Sequence, residues 1–192
     1  MGSEMCIRDR YVAAEKYLNY FSDYDPMKKV KQGQLYMEQG KTEEAFEMLE
    51  KAVFSEYTTL NMAFGIMITK ALEGKDHGYA RFLAEKMCTL ASGFDMGKYN
   101  ECAAMLNVVT AENNVEGTFL VAKQLLNNVD TICDFQKSQL YKHMKFREVE
   151  NPYTEEMKKE LLEGFRNAEE FAYMKEYEPL SLIHISEPTR PL

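Results

Sequence analysis

The chain has 192 residues, 45% of them hydrophobic and 28% charged, which is enough apolar material to bury a core without disulfides and excludes a disordered chain. It has no tryptophan, 5 prolines and 10 glycines but 13 methionines, a composition that favours helices over a sandwich or barrel. The net charge of −8 repels a phosphate backbone and argues against direct nucleic-acid binding. No apolar run approaches the ~20 residues of a membrane-spanning helix.

In chain order, residues 11–21 (YVAAEKYLNYF) are the first expected helix, with Val12, Tyr17 and Leu18 leading to Phe21. A turn, SDYDP, follows, and Asp25 before Pro26 starts a helix over 27–39. Gly40 ends it. Thr42 is the expected cap of the next helix, with Glu43 and Glu44 in the first turn and Phe46, Leu49, Ala52 and Val53 as its stripe. A separate helix over 59–72 is so apolar that cover on both sides is expected. Further helices are expected over 78–90, 98–110 and 115–126, with Gly93 and Gly97 framing one loop and 112–114 forming another. Residues 132–144 fit one or two shorter helices. Asn151-Pro152 then opens a long acidic helix, with Thr154 as its cap and Met157, Leu161, Phe165, Ala168, Phe171 and Ala172 as its stripe. No proline falls between Pro26 and Pro152, and the loops are short and polar, so the fold class is all-α, an array of antiparallel helix hairpins.

The two ends read differently. Residues 1–10 lack periodicity, and residues 180–192 are a short β-like run stopped by Pro188 and Pro191. GSEMCIRDR and LSLIHISEPTR resemble transposase sequencing-adapter DNA translated in two directions, as found on reading frames cut from environmental DNA assemblies. The resemblance implies that residues 1–10 and 180–192 are non-native tails around a single helical domain over 11–179. Arg8, Arg10 and Arg190 balance Glu4, Asp9 and Glu187, so trimming keeps the charge at −8. Cys6 and His184 leave the set of candidate site residues, and neither end is read as a targeting segment.

Within 11–179 the chemistry is sparse. Cys88, Cys102 and Cys133 are an odd count without CxxC spacing, as expected of unpaired buried thiols in a reducing cytoplasm. His77 lies in a Lys-Asp-His-Gly turn and reads as an exposed loop residue. His143, in LYKHMKF, has no acidic partner upstream at helical spacing. Neither histidine has metal-site spacing, no serine sits in a G-x-S-x-G elbow, and no glycine-rich loop cradles a phosphate. Glu155-Glu156 and Glu169-Glu170 read as solvated helix face. No enzyme, cofactor or metal is expected.

Residues 26–59 resemble a tetratricopeptide repeat. Gly33 and Tyr36 on the first helix, Gly40 at the turn, and Ala45, Leu49 and Ala52 on the second stand at the family's packing positions. Gly33 and Ala45 permit close helix approach, Gly40 can adopt positive φ, and Ala52 leaves room for a following hairpin. Lys29, Gln32 and Tyr57 depart from the pattern, Tyr57 standing where the family has a proline between repeats. Weaker echoes follow: Ala45 to Ala80 spans 35 positions and Ala80 to Thr118 spans 38, against a period of about 34. In such an array Val30, Gln34, Met37 and Glu38 line the groove that takes a peptide, a protein segment or a second copy of the chain. The ten methionines from Met37 to Met174 are weighed between adaptable binding surface and core filling, the commoner fate. The alternative is a compact helical bundle.

As a whole, 11–179 is similar to the C-terminal part of Xre-type helix-turn-helix bacterial transcriptional regulators, through DYDPMKKVKQGQLYMEQGKTEEA, EKMCTLASGFDMGKY and LYKHMKFRE. The resemblance implies a non-catalytic dimerisation or peptide-sensing domain whose DNA-reading domain lies outside this chain. Neither nucleic acid nor membrane is an expected partner. A self-standing scaffold is the second reading. A helical enzyme is the third, and it requires His143 to meet a carboxylate in a pocket.

Overall fold

The structure, a computed structural model, describes residues 2–23, 25–147, 152–167, 169–174 and 177. The tail over 180–192, Asn151, Ala168 and the side chain of Glu170 lie outside the described residues. Among the described residues all regular structure is helical: α1 (Gly2–Leu18), α2 (Pro26–Glu38), α3 (Thr42–Glu73), α4 (His77–Gly93), α5 (Asn100–Ala111), α6 (Val115–Asn127) and α7 (Pro152–Asn167). Short 3-10 turns occupy Val129–Thr131, Asp134–Lys137, Gln139–Tyr141 and Glu169–Met174. The described residues divide into two compact units, those up to 60 with 135–147, and 61–134 with those from 152 on. All-α is therefore the fold class.

Several boundaries differ from the sequence expectation. The first helix starts upstream of Tyr11 and stops at Leu18, short of Phe21. The helices expected over 42–53 and 59–72 are one helix of 32 residues. Neither glycine nor proline interrupts 42–64, and Tyr57, unlike the proline of the repeat pattern, keeps its N–H and is buried mid-helix. Thr42 is already helical; the Lys41 carbonyl accepts from the Ala45 N–H at 3.0 Å, so Lys41 holds the cap position. Thr154 likewise lies inside the first turn of α7. The long terminal helix gives way to a 3-10 turn, whose tighter pitch rephases the stripe: Phe165, Phe171 and Met174 are buried, while Ala172 is exposed.

Four helices end the same way. After α2, α3, α4 and α5 the chain turns through a left-handed residue: Gly40 (φ 76°), Lys75 (φ 60°), Asp95 (φ 53°) and Asn113 (φ 50°). Each time two N–H groups close on the last turn: Gly40 on Met37 and Lys41 on Tyr36, Lys75 on Leu72 and Asp76 on Ala71, Asp95 on Ser92 and Met96 on Ala91, Asn113 on Thr110 and Asn114 on Val109. This satisfies carbonyls that a helix end otherwise leaves without partners. In three of the four turns the next residue at once starts a new helix. The Asp76 side chain accepts from Tyr79 N–H at 3.0 Å, and that of Asn114 from Gly117 N–H at 2.9 Å. Ala45, Ala80 and Thr118 each follow the left-handed residue by the same interval, and all three have zero exposure.

In the first unit α2 lies close against α3 at Gly33, where an added Cβ would sit 2.8 Å from Leu49 Cγ and 3.2 Å from the Ala45 carbonyl. α1 packs along α2, with Tyr11 Oη donating to the Glu38 carbonyl at 2.7 Å. Asp25 accepts from Met27 N–H at 2.8 Å and so starts α2. The segment 135–147 returns to α3 and packs Phe135, Tyr141 and Phe146 around Phe54, with ring centroids 5.3, 5.5 and 6.1 Å away.

The second unit has two apolar clusters. Ile68 and Ala71 of α3 meet Ala80, Leu83 and Ala84 of α4 and Ala104 and Val108 of α5. Ala122, Leu125 and Leu126 of α6 meet Phe165, Phe171 and Met174. Thr118 keeps its buried hydroxyl satisfied on Tyr173 Oη at 2.7 Å. Gly97 (φ 89°) passes so near the 3-10 turn that a Cβ there would lie 1.9 Å from the Thr131 carbonyl oxygen.

Candidate functional site

Val30, Gln34, Met37 and Glu38 fall on one face of α2; Val30 is half-buried and the other three are exposed. Gly33, Ala45 and Ala52 are buried, and Leu49 and Tyr36 are half-buried, Tyr36 lying beneath the Lys41 ammonium at 5.2 Å. Gly40 has open space around it, so its conformation, not its size, suits glycine.

The histidines depart from their sequence reading. His77 opens α4 and is half-buried, with Nδ1 buried and unpartnered. His143 lies in a turn after a 3-10 segment rather than on a helix, because Ser138 interrupts 132–144 and accepts from Leu140 N–H at 2.9 Å. It does meet a carboxylate. Glu50 Oε1 lies 2.5 Å from His143 Nδ1, and Glu50 Oε2 accepts from the backbone N–H groups of His143 at 2.7 Å and Met144 at 3.1 Å. Phe46 stacks on the imidazole at 4.8 Å, and Glu43 Oε2 stands 3.7 Å from its Nε2. Two successive N–H groups converging on one buried carboxylate make an anion nest filled from within the protein. Its geometry ties the returning segment to α3. Sequence reading gave Glu50 no role; the local signal was a carboxylate inside the apolar stripe Phe46, Leu49, Val53.

Cys88 and Cys102 are poor nucleophiles. Burial pushes Cys102 up to about 11, with Cys88 and Glu101 adding to the effect, and burial raises Cys88 as well. Cys102 Sγ donates to the Lys98 and Tyr99 carbonyls at 3.5 and 3.4 Å. Among the described residues, no group of three or more His, Cys, Asp or Glu side chains is arranged to hold a metal ion.

No family model matches the chain, and no curated protein or solved structure matches it.

The largest departure is on α3. Cover on both sides was expected over 59–72, yet Met62 is 63% and Ile66 60% exposed, and Leu60, Ala63 and Met67 are exposed beside them. No charged residue falls between Glu56 and Lys70. The hydroxyls of Thr58, Thr59 and Thr69 donate to the Phe54, Ser55 and Gly65 carbonyls at 3.0 Å, which turns their polar atoms back along the helix. More than three helical turns thus present an uncharged surface, although the chain is 28% charged. Of the methionines, Met96 and Met174 are buried and Met48, Met87, Met105, Met144 and Met157 half-buried; Met37, Met62 and Met67 are exposed. No helix among the described residues is long and apolar enough to cross a membrane.

Proposed function

We propose that the chain is a non-catalytic interaction domain that receives an apolar protein segment, built on degenerate tetratricopeptide-like hairpins. The observation that carries this reading is the uncharged, exposed face of α3. Single exposed hydrophobics are ordinary, but a continuous apolar surface marks an interaction site. The repeat reading is supported by three equivalent turns, at Gly40, Lys75 and Asn113, each followed by a fully buried small residue, Ala45, Ala80 or Thr118. The resemblance to helix-turn-helix regulators supports a regulatory role beside a DNA-reading domain encoded upstream. Glu50 spends its acceptors on a turn, which supports a structural role for His143 rather than a catalytic one.

Two measurements test this. At sub-micromolar protein, an apolar dye such as bis-ANS is expected to bind saturably, and Ile66→Glu to weaken that binding with unchanged helicity by circular dichroism. Equal dye binding by both proteins counts against the face. In the source genome the reading frame is expected to continue upstream of Tyr11 into a helix-turn-helix domain; a start codon beside Tyr11 rejects the regulatory role.

A further inference from the structure

We infer that Met62 and Met67 form an oxidation site that governs the α3 face: a hydroperoxide converts their thioethers to sulfoxides, and the face then no longer receives an apolar segment. The inference rests on reading that face as an interaction surface and adds how it is switched. Met62, Ile66 and Met67 all belong to the second compact unit. Met62 is 63% and Met67 42% exposed, so both thioethers are open to a dissolved oxidant, whereas Met96 and Met174 are buried. At ~100° per residue the two methionines stand about 140° apart around α3, with Ala63 and Ile66 between them. They flank the centre of the apolar strip on its two sides.

Oxygen transfer suits this residue type. A sulfur lone pair attacks the terminal oxygen of the hydroperoxide, and a sulfur–oxygen bond forms as the oxygen–oxygen bond breaks. Sulfur gives up two electrons, and the departing oxygen takes the hydroperoxide's own proton to leave as water or an alcohol. The sulfoxide is polar and accepts hydrogen bonds from water, so an apolar segment docked over it strips an acceptor of its partners. No charged residue falls between Glu56 and Lys70, and the Thr58, Thr59 and Thr69 hydroxyls donate back along the helix, so two sulfoxides are a large change on this stretch. Met27 and Met37 are exposed too, but they stand at opposite ends of α2 among Lys28, Lys31 and Glu38, where added polarity alters little. A thiol-dependent sulfoxide reductase restores the thioether, oxidising two thiols to a disulfide and releasing water, so the change is reversible.

Peptide mapping of the full chain over a hydrogen peroxide time course is expected to show oxygen on Met62 and Met67 about tenfold sooner than on Met96 and Met174. While Met96 and Met174 remain unmodified, the oxidised chain is expected to bind bis-ANS about tenfold more weakly, with unchanged helicity by circular dichroism. Met62→Leu/Met67→Leu keeps side chains of similar volume and is expected to bind the dye as the parent does, before and after peroxide. Because that variant retains Met27, Met37 and every cysteine, it assigns the loss to the pair. Methionine sulfoxide reductases with dithiothreitol are expected to return the parent's binding. Oxidation of Met62 and Met67 no sooner than that of Met96 and Met174 overturns the inference. So does dye binding that survives their oxidation, a loss of helicity alongside it, or an equal loss in the double leucine variant. Where Ile66→Glu weakens dye binding but peroxide does not, the apolar face stands and only its control by oxidation falls. A parent chain that binds no dye overturns both.

Discussion

Glu50 is a charged residue inside an apolar stripe, and its stability there depends on full use of its acceptors. Three donors reach it: the His143 imidazole and the backbone N–H groups of His143 and Met144. Glu50→Ala removes the acceptors and leaves half-buried donors without partners, which is expected to cost about 2 kcal/mol. Glu50→Gln keeps one oxygen for the backbone and is expected to cost less. Urea denaturation followed at 222 nm orders the two variants, and equal losses would remove the clamp as a source of stability. At this scale little was legible in the sequence. Glu50 and His143 stand 93 positions apart, and no local spacing couples residues brought together by a returning segment. Ala45 and Gly33 were legible, because close helix approach demands small side chains whatever the partner.

The helix ends follow local chemistry. Gly40, Gly97 and Asn113 supply left-handed backbone where Cβ costs least, while Lys75 and Asp95 adopt it at a cost that the two closing N–H bonds offset. Two of these glycines separate conformation from space. Gly40→Ala meets open surroundings and is expected to cost about 1 kcal/mol, the penalty of a left-handed alanine. Gly97→Ala adds a collision with the Thr131 carbonyl and is expected to cost about 3 kcal/mol or more, because backbone must move. Urea midpoints for the two variants check the order; a reversed order would mean that the Gly97 loop relaxes freely. Helices α4, α5 and α6 were legible to within a few residues, since turn residues bound them. The junction inside α3 was not. The repeat pattern places a break near Tyr57, but local sequence there contains no breaker, and continuous hydrogen bonding won.

At the scale of the whole molecule, the helical second unit holds the Cys88 and Cys102 thiols in the neutral state. Burial raises Cys88, and Cys102 reaches about 11 from an ordinary value of 9.0. Where the native state keeps a proton that the unfolded chain has lost, stability falls as pH rises. This contribution is fully present below pH 9 and is lost between pH 9 and about 11. Tyr99, also raised by burial, adds a loss of the same sign above pH 10. Urea midpoints from pH 8 to 10.5 are expected to decline, and less steeply in a Cys88→Ala/Cys102→Ala chain. Equal slopes in the two chains would assign the decline to other groups.

Composition and 3.6-residue periodicity by themselves determined an all-α chain, its main turns and the small residues at close helix crossings. These are properties of a few consecutive residues: backbone conformation, hydrogen-bond satisfaction and side-chain volume act locally. Tertiary structure decided the rest. It showed that the apolar stretch of α3 leaves one face exposed, that a lone histidine closes on a distant glutamate, and that residues 135–147 return to α3. Burial depends on which elements meet, and an apolar stripe alone does not state whether its cover comes from the same chain.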